Sequence, residues 1–160
     1  MCDRGSHSPD PARPLYFTVR RKDMWSNFSA MPSLLKFLTA HAFACFAFFV
    51  GSLIPQTPFS INGHQVSYSE WWTSGAGPLA VFLGVALPIC GYMFLLRKAD
   101  ARAAYLASVA IVLICSYVVL RRPPFLILGD GCLIAFGGWY LYRRSAVVAY
   151  FASNQRLERP

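Results

Sequence analysis

The sequence predicts an all-α integral membrane protein: four transmembrane helices in one bundle, with a short structured loop on the outer side. Three observations carry this. Only 14% of the 160 residues are charged, against roughly 25% in an ordinary soluble domain. Four apolar runs approach the ~20 residues that a helix needs to cross about 30 Å of hydrocarbon. Lysine and arginine are also lopsided: with the runs alternating across a bilayer, thirteen fall on the side of the termini and two, Arg121 and Arg122, on the other. Basic residues gather on the cytoplasmic side, so both termini are expected there. The loop 55–77, which contains no lysine or arginine, is expected outside, in the periplasm of a bacterium.

Taken in order, residues 1–30 read as a cytoplasmic, largely disordered basic tail. Pro9, Pro11 and Pro14 interrupt any helical period, and Arg20, Arg21 and Lys22 form a basic cluster before Trp25, a residue suited to the headgroup level. The domain that follows, 31–144, holds the four spans. The first, about 33–54, begins after Pro32 and carries Lys36, Thr39 and His41, which make its cytoplasmic end polar. Its alanines at 40, 44 and 47, with Gly51, form a small-residue edge that invites a close neighbour. The second, about 78–96, has Ala80, Gly84, Pro88 and Gly91 along one face, and Pro88 predicts a kink. The third covers about 103–120, with its own small edge at Ala103, Ala107 and Ala110, and Arg121-Arg122-Pro123-Pro124 closes it. The fourth, about 125–142, contains four glycines and Asp130, and ends in an aromatic belt of Trp139, Tyr140 and Tyr142. Residues 145–160 form a second cytoplasmic tail whose apolar beginning either prolongs the helix or lies along the interface.

The outer loop has its own grammar. Asn62-Gly63 between short alternating runs predicts a β-hairpin. Ser67-Tyr68-Ser69-Glu70 has the spacing of a capping box, which predicts a short helix through Trp71 and Trp72. His64, Tyr68, Glu70, Trp71 and Trp72 thus form a candidate partner-docking surface, since exposed aromatic residues are common binding anchors.

Few residues carry chemistry. Asp130 lies inside the fourth span, where a carboxylate costs about 2.5–3.5 kcal/mol on the insertion scale. Such residues face the bundle and find a partner, so an intramembrane ion pair of Asp130 with Arg121 or Arg122 is expected; a proton or ion relay is the other reading. Gly129 and Gly131 beside it suggest close approach of a neighbouring backbone. Lys36 and His41 form a candidate polar site in the first span. No cofactor is expected: a haem held by two histidines needs a second intramembrane histidine, and His7 and His64 lie in polar segments. No metal is expected, for want of a cluster of ligands. No catalytic residue is expected either. Ser67 or Ser69 with His64 and Glu70 can be drawn as a triad, but no nucleophile elbow accompanies them. Of the five cysteines, four fall in apolar runs and none forms a C-x-x-C motif, so they read as packing residues.

The net charge of +8 follows from the positive-inside pattern and does not imply nucleic acid. Four spans, both ends inside and one aromatic outer loop resemble several kinds of small bacterial inner-membrane protein. Among these are the immunity proteins that guard a producing cell against its own pore-forming toxin. The resemblance is one of topology, and no site residue follows from it. It implies a non-enzymatic protein of the inner membrane that binds another membrane protein or a membrane-inserting toxin, as an immunity protein or an accessory subunit, and leaves self-association into a homo-oligomer open. The alternative is a small transporter or a channel component for ions or protons, working through Asp130.

Overall fold

The computed structural model describes residues 21–121 and 123–155. The elements are α1 (Arg21–Ala30), α2 (Ser33–Ala44), α3 (Phe46–Leu53), β1 (Phe59–Ile61), β2 (His64–Val66), α4 (Tyr68–Thr73), α5 (Ala76–Leu95), α6 (Ala101–Val119), α7 (Ile127–Arg143) and α8 (Ser145–Gln155). A 3-10 turn at Pro124–Leu126 leads into α7. Three helical stretches are long and apolar enough to cross a membrane: Ser33–Leu53, which joins α2 to α3, then α5 and α6. α7, expected as the fourth span, has 17 residues and is shorter than each of these. Residues 21–30, expected within the tail, are helical, and residues 1–20 lie outside the described residues.

α5 is the centre of the molecule. It packs against α1, α2, α3, α4 and α6, whereas α7 packs against α6, α8 and its own 3-10 turn. The reason is written in α5's small residues. A Cβ built on Gly84 would stand 2.5 Å from the Phe49 backbone nitrogen and 3.0 Å from the Cys45 carbonyl oxygen. One on Gly91 would meet the Ala42 Cβ at 3.2 Å and the Thr39 carbonyl oxygen at 3.5 Å. Two backbones therefore touch along one seam, as small residues permit in apolar surroundings where helix association rests on close packing. The partner residues on the first span are Thr39, Ala42, Cys45, Phe49 and Ser52, spaced by three and four. The alanine edge expected to make this contact faces the other way: Ala40, Ala44 and Ala47 are exposed. Nothing stands within 4 Å of a Cβ on Gly51. Residue size marked a permissive face, but the neighbour chose the face that also offered Thr39, Cys45 and Ser52.

The helix assignment runs through Pro88 without a break. The interruption falls at Cys45, between α2 and α3, whose carbonyl oxygen is among the atoms Gly84 approaches.

The carboxyl end of α5 is closed with equal care. Lys98 N–H donates to the Met93 carbonyl at 3.1 Å and Arg97 N–H to Phe94 at 3.0 Å, the bond pair of a Schellman motif. Glycine is usual at the left-handed position of that motif, yet Arg97 holds it at φ +54°. Its side chain explains the choice: Nη1 donates to Ser153 Oγ at 2.7 Å, and the guanidinium lies 4.7 Å from the centre of the Tyr150 ring. Both terminal helices then attach to the same last turn. Tyr150 donates its hydroxyl to the Phe94 carbonyl at 3.1 Å, and Asn27 Nδ2 donates to the Leu95 carbonyl at 3.0 Å. The densest core lies at this end, with Leu35, Phe94, Leu141, Val147 and Phe151 almost wholly buried.

Candidate functional site

At the opposite end the chain between the first span and α5 folds as a lid. β1 and β2 pair antiparallel, with Ile61 opposite His64, which leaves Asn62-Gly63 as a two-residue turn. Both have positive φ, +52° and +85°, the type I′ geometry that matches strand twist and favours Asn-Gly. Ser67 caps α4: its Oγ accepts from Glu70 N–H at 3.2 Å, and its own N–H donates to Glu70 Oε2 at 2.8 Å. The Ser67 hydroxyl donates to the same carboxylate oxygen at 2.9 Å. These bonds favour the charged form and hold the Glu70 carboxyl below its usual range. Gly75, at φ +88°, turns the chain from α4 into α5 against the Val119 side chain.

The aromatic residues of the lid pack inward. Phe59 is buried and stacks on Trp71 at 4.8 Å between ring centres. Tyr68 leans on Phe59 at 5.8 Å and meets Trp72 edge-on at 6.2 Å. Gly77 lies directly beneath both indoles, since a Cβ there would come within 2.9 Å of Trp71 and 3.1 Å of Trp72. It belongs to the first turn of α5. Both indole N–H groups are buried and make no hydrogen bond among the described residues. Of the five candidate docking residues, His64 and Glu70 are exposed, and Tyr68, Trp71 and Trp72 are half-buried.

One contact ties this lid to the rest of the site. Asn62 Nδ2 donates to the Leu120 carbonyl at 2.7 Å, so the hairpin tip sits on the last residues of the third span. Three residues earlier in that span, the Tyr117 hydroxyl donates to Asp130 Oδ2 at 2.7 Å. The lid and the one acid of α7 therefore flank a single helix end. Arg121 follows at φ +48° with its side chain exposed, and Arg122 lies outside the described residues. Gly129 and Gly131 beside Asp130 meet no close neighbour among the described residues: nothing stands within 4 Å of a Cβ built on either. The expectation of a tight approach there is corrected to an open one, because α6 contacts α7 through other residues, such as Leu106 against Gly137.

Lys36 and His41 are not brought together. Residues five apart on a helix differ by about 140° in direction. His41 is exposed, stacks on Phe37 at 6.4 Å and lies 3.9 Å from Cys45 Sγ. No group of three or more metal-ligating side chains occurs among the described residues. Sequence reading missed Tyr117; a polar aromatic residue one turn before the end of the third span was the available signal.

The fold and its apolar helices define the class: a helical membrane protein with three helices long and apolar enough to span. No protein-family profile, curated protein or solved structure matches this chain.

Proposed function

We propose that the chain is a non-enzymatic membrane protein that captures another membrane helix against α7, as an immunity-type protein or an accessory subunit of the bacterial inner membrane. In this reading α7 is the fourth span. With its 3-10 turn it covers residues 124–143, about the ~20 residues that a crossing needs. Both termini then lie in the cytoplasm and the lid in the periplasm, following the basic residues.

The observation that carries the reading is the open side of α7 on which Leu128, Gly131, Cys132 and Ala135 fall at helical spacing, all of them exposed. In α5 the glycines at 84 and 91 are filled by the first span. In α7 those at 129 and 131 are empty, and Leu128, Cys132 and Leu133 around them are exposed. A glycine in a helix interior costs roughly 0.5–1 kcal/mol relative to alanine. Two of them without an internal neighbour suit a helix that arrives from outside the chain. The test is a Gly129→Leu, Gly131→Leu double variant. It inserts and folds as the parent does, yet cells that express it lose protection against a co-encoded pore-forming toxin, or lose the co-migrating complex in native membranes. Full protection and an unchanged complex in that variant contradict the reading.

The Tyr117–Asp130 hydrogen bond favours one alternative, a proton-linked transport component. It predicts a pH-dependent flux in proteoliposomes that Asp130→Asn removes. Absence of any pH-dependent flux, or a flux that survives the substitution, eliminates it.

A further inference from the structure

A cleft of about 350 Å³ separates the first span from α6 and α7, within the range of ~300–1,000 Å³ typical of ligand pockets. Its walls are mostly aliphatic, including Leu38, Leu106, Val109 and Ile134. One end lies where α2 begins. Pro32 precedes that helix and supplies no side-chain cap, and the first backbone bond runs from Lys36 N–H to the Pro32 carbonyl. The N–H groups of Ser33, Leu34 and Leu35 therefore have no acceptor within the helix. Tyr140 lines the same cleft as Leu34, the second residue of α2. Tyr140 is 6% exposed, and its hydroxyl makes no hydrogen bond among the described residues. Arg144 follows one turn later, its N–H on the Tyr140 carbonyl at 3.4 Å and its side chain exposed.

We propose that this cleft holds one membrane amphiphile with an anionic head. Its acyl chain lies between Leu38, Leu106, Val109 and Ile134, and its head sits at the amino end of α2. An uncapped helix start carries about half a positive charge and directs N–H groups outward, the arrangement that binds phosphate and carboxylate. A buried hydroxyl with an unused proton and an arginine one turn later add a donor and a cation. A zwitterionic head brings its own cation into that field and is disfavoured. The head is either the phosphate of an anionic phospholipid or the carboxylate of a fatty acid, since both offer acceptor oxygens and negative charge. The inference does not depend on the open side of α7, which uses other residues.

The test uses the full chain purified in a nonionic detergent, delipidated, and offered palmitate, phosphatidylglycerol or phosphatidylcholine of matched chains, with retention read by native mass spectrometry. One equivalent of an anionic probe is retained at least tenfold over phosphatidylcholine, and whether palmitate or phosphatidylglycerol dominates identifies the head. Gly137→Leu directs its side chain toward Leu106 Cδ2, 3.3 Å from the first added carbon, and cuts retention at least tenfold. If its circular dichroism shows a lost fold, Ile134→Trp fills the same space from another position. Tyr140→Phe cuts retention about threefold and leaves the phosphatidylcholine background unchanged. Equal retention of phosphatidylcholine, no saturable retention, or retention unaffected in a folded cleft-filling variant overturns the proposal.

Discussion

α5 and α7 carry the same device and use it oppositely. Both are apolar helices with glycines at short spacing, and both hold one residue awkward for a helix in a bilayer, Pro88 in one and Asp130 in the other. In α5 the glycines are pressed against the first span until backbone meets backbone, and the helix is closed by a Schellman turn, Tyr150 and Asn27. In α7 the glycines at 129 and 131 face open space. A glycine in a membrane helix therefore permits an approach without saying who makes it. α5 is completed inside the chain; the glycines of α7 at 129 and 131 meet no described atom.

The largest break in that contrast comes from filling both faces equally. Gly84→Ala places a methyl group 2.5 Å from the Phe49 backbone nitrogen, which cannot yield as a flexible side chain does. Overpacking of a tight site costs about 1–3 kcal/mol and occasionally more, and backbone contact places this variant at or above the top of that range. Gly131→Ala meets no described atom and gains up to about 1 kcal/mol of helix propensity. Denaturant titration in detergent micelles, followed by circular dichroism, reads both. If the two variants lose stability alike, the contrast between the helices is wrong.

The closure of α5 is probed next. Tyr150→Phe and Asn27→Ala each remove one hydrogen bond to a carbonyl of its last turn, and each is expected to cost about 1 kcal/mol. Hydrogen exchange locates the loss at α8 for the first and at α1 for the second. Arg97→Gly is a smaller and more revealing change. It relieves a left-handed arginine, worth roughly 1–2 kcal/mol, but removes the bond to Ser153. The net change is within about 1 kcal/mol, with faster exchange confined to α8.

The smallest effect belongs to the lid and depends on pH. Glu70 has a folded-state pKa below its ordinary value. Its contribution is therefore present above the unfolded pKa and lost as pH falls through the folded one. Protection against hydrogen exchange in 68–73, taken relative to the intrinsic rate at each pH, falls in acid as the cap is lost, and Glu70→Gln, which cannot ionise, flattens that dependence. Unchanged pH dependence in Glu70→Gln removes the capping carboxylate as its cause.

Local rules were the most readable part of the sequence. Asn62-Gly63 and Ser67-x-x-Glu70 are complete in a few consecutive residues, and the hairpin and the capped helix both form. The apolar runs of 33–54, 78–96 and 103–120 likewise correspond to helices within a residue or two. Contacts between distant elements were not readable. Nothing local distinguishes Ala44, which faces out, from Ala42, which faces α5, or Gly84, which is filled, from Gly131, which is open. Tyr117 and Asp130 are thirteen residues apart across a proline turn whose geometry no short pattern encodes. The cleft beside Tyr140 was invisible for the same reason, since it consists of the space three helices leave between them.

The native cysteines allow the central claim to be tested directly. Cys132 is exposed beside the open glycines of α7, and Cys90 is buried in α5 beside Ser108 of α6. Two single-cysteine chains, one retaining each, are labelled in native membranes with a membrane-permeant maleimide–benzophenone and irradiated, so that the photoreactive end inserts into C–H bonds of any neighbouring polypeptide. The account predicts a crosslinked product joining Cys132 to a second membrane polypeptide, absent from the Cys90 chain and lost on adding Gly129→Leu and Gly131→Leu. No product from Cys132, or a product of equal yield when the open side of α7 is filled, would contradict it.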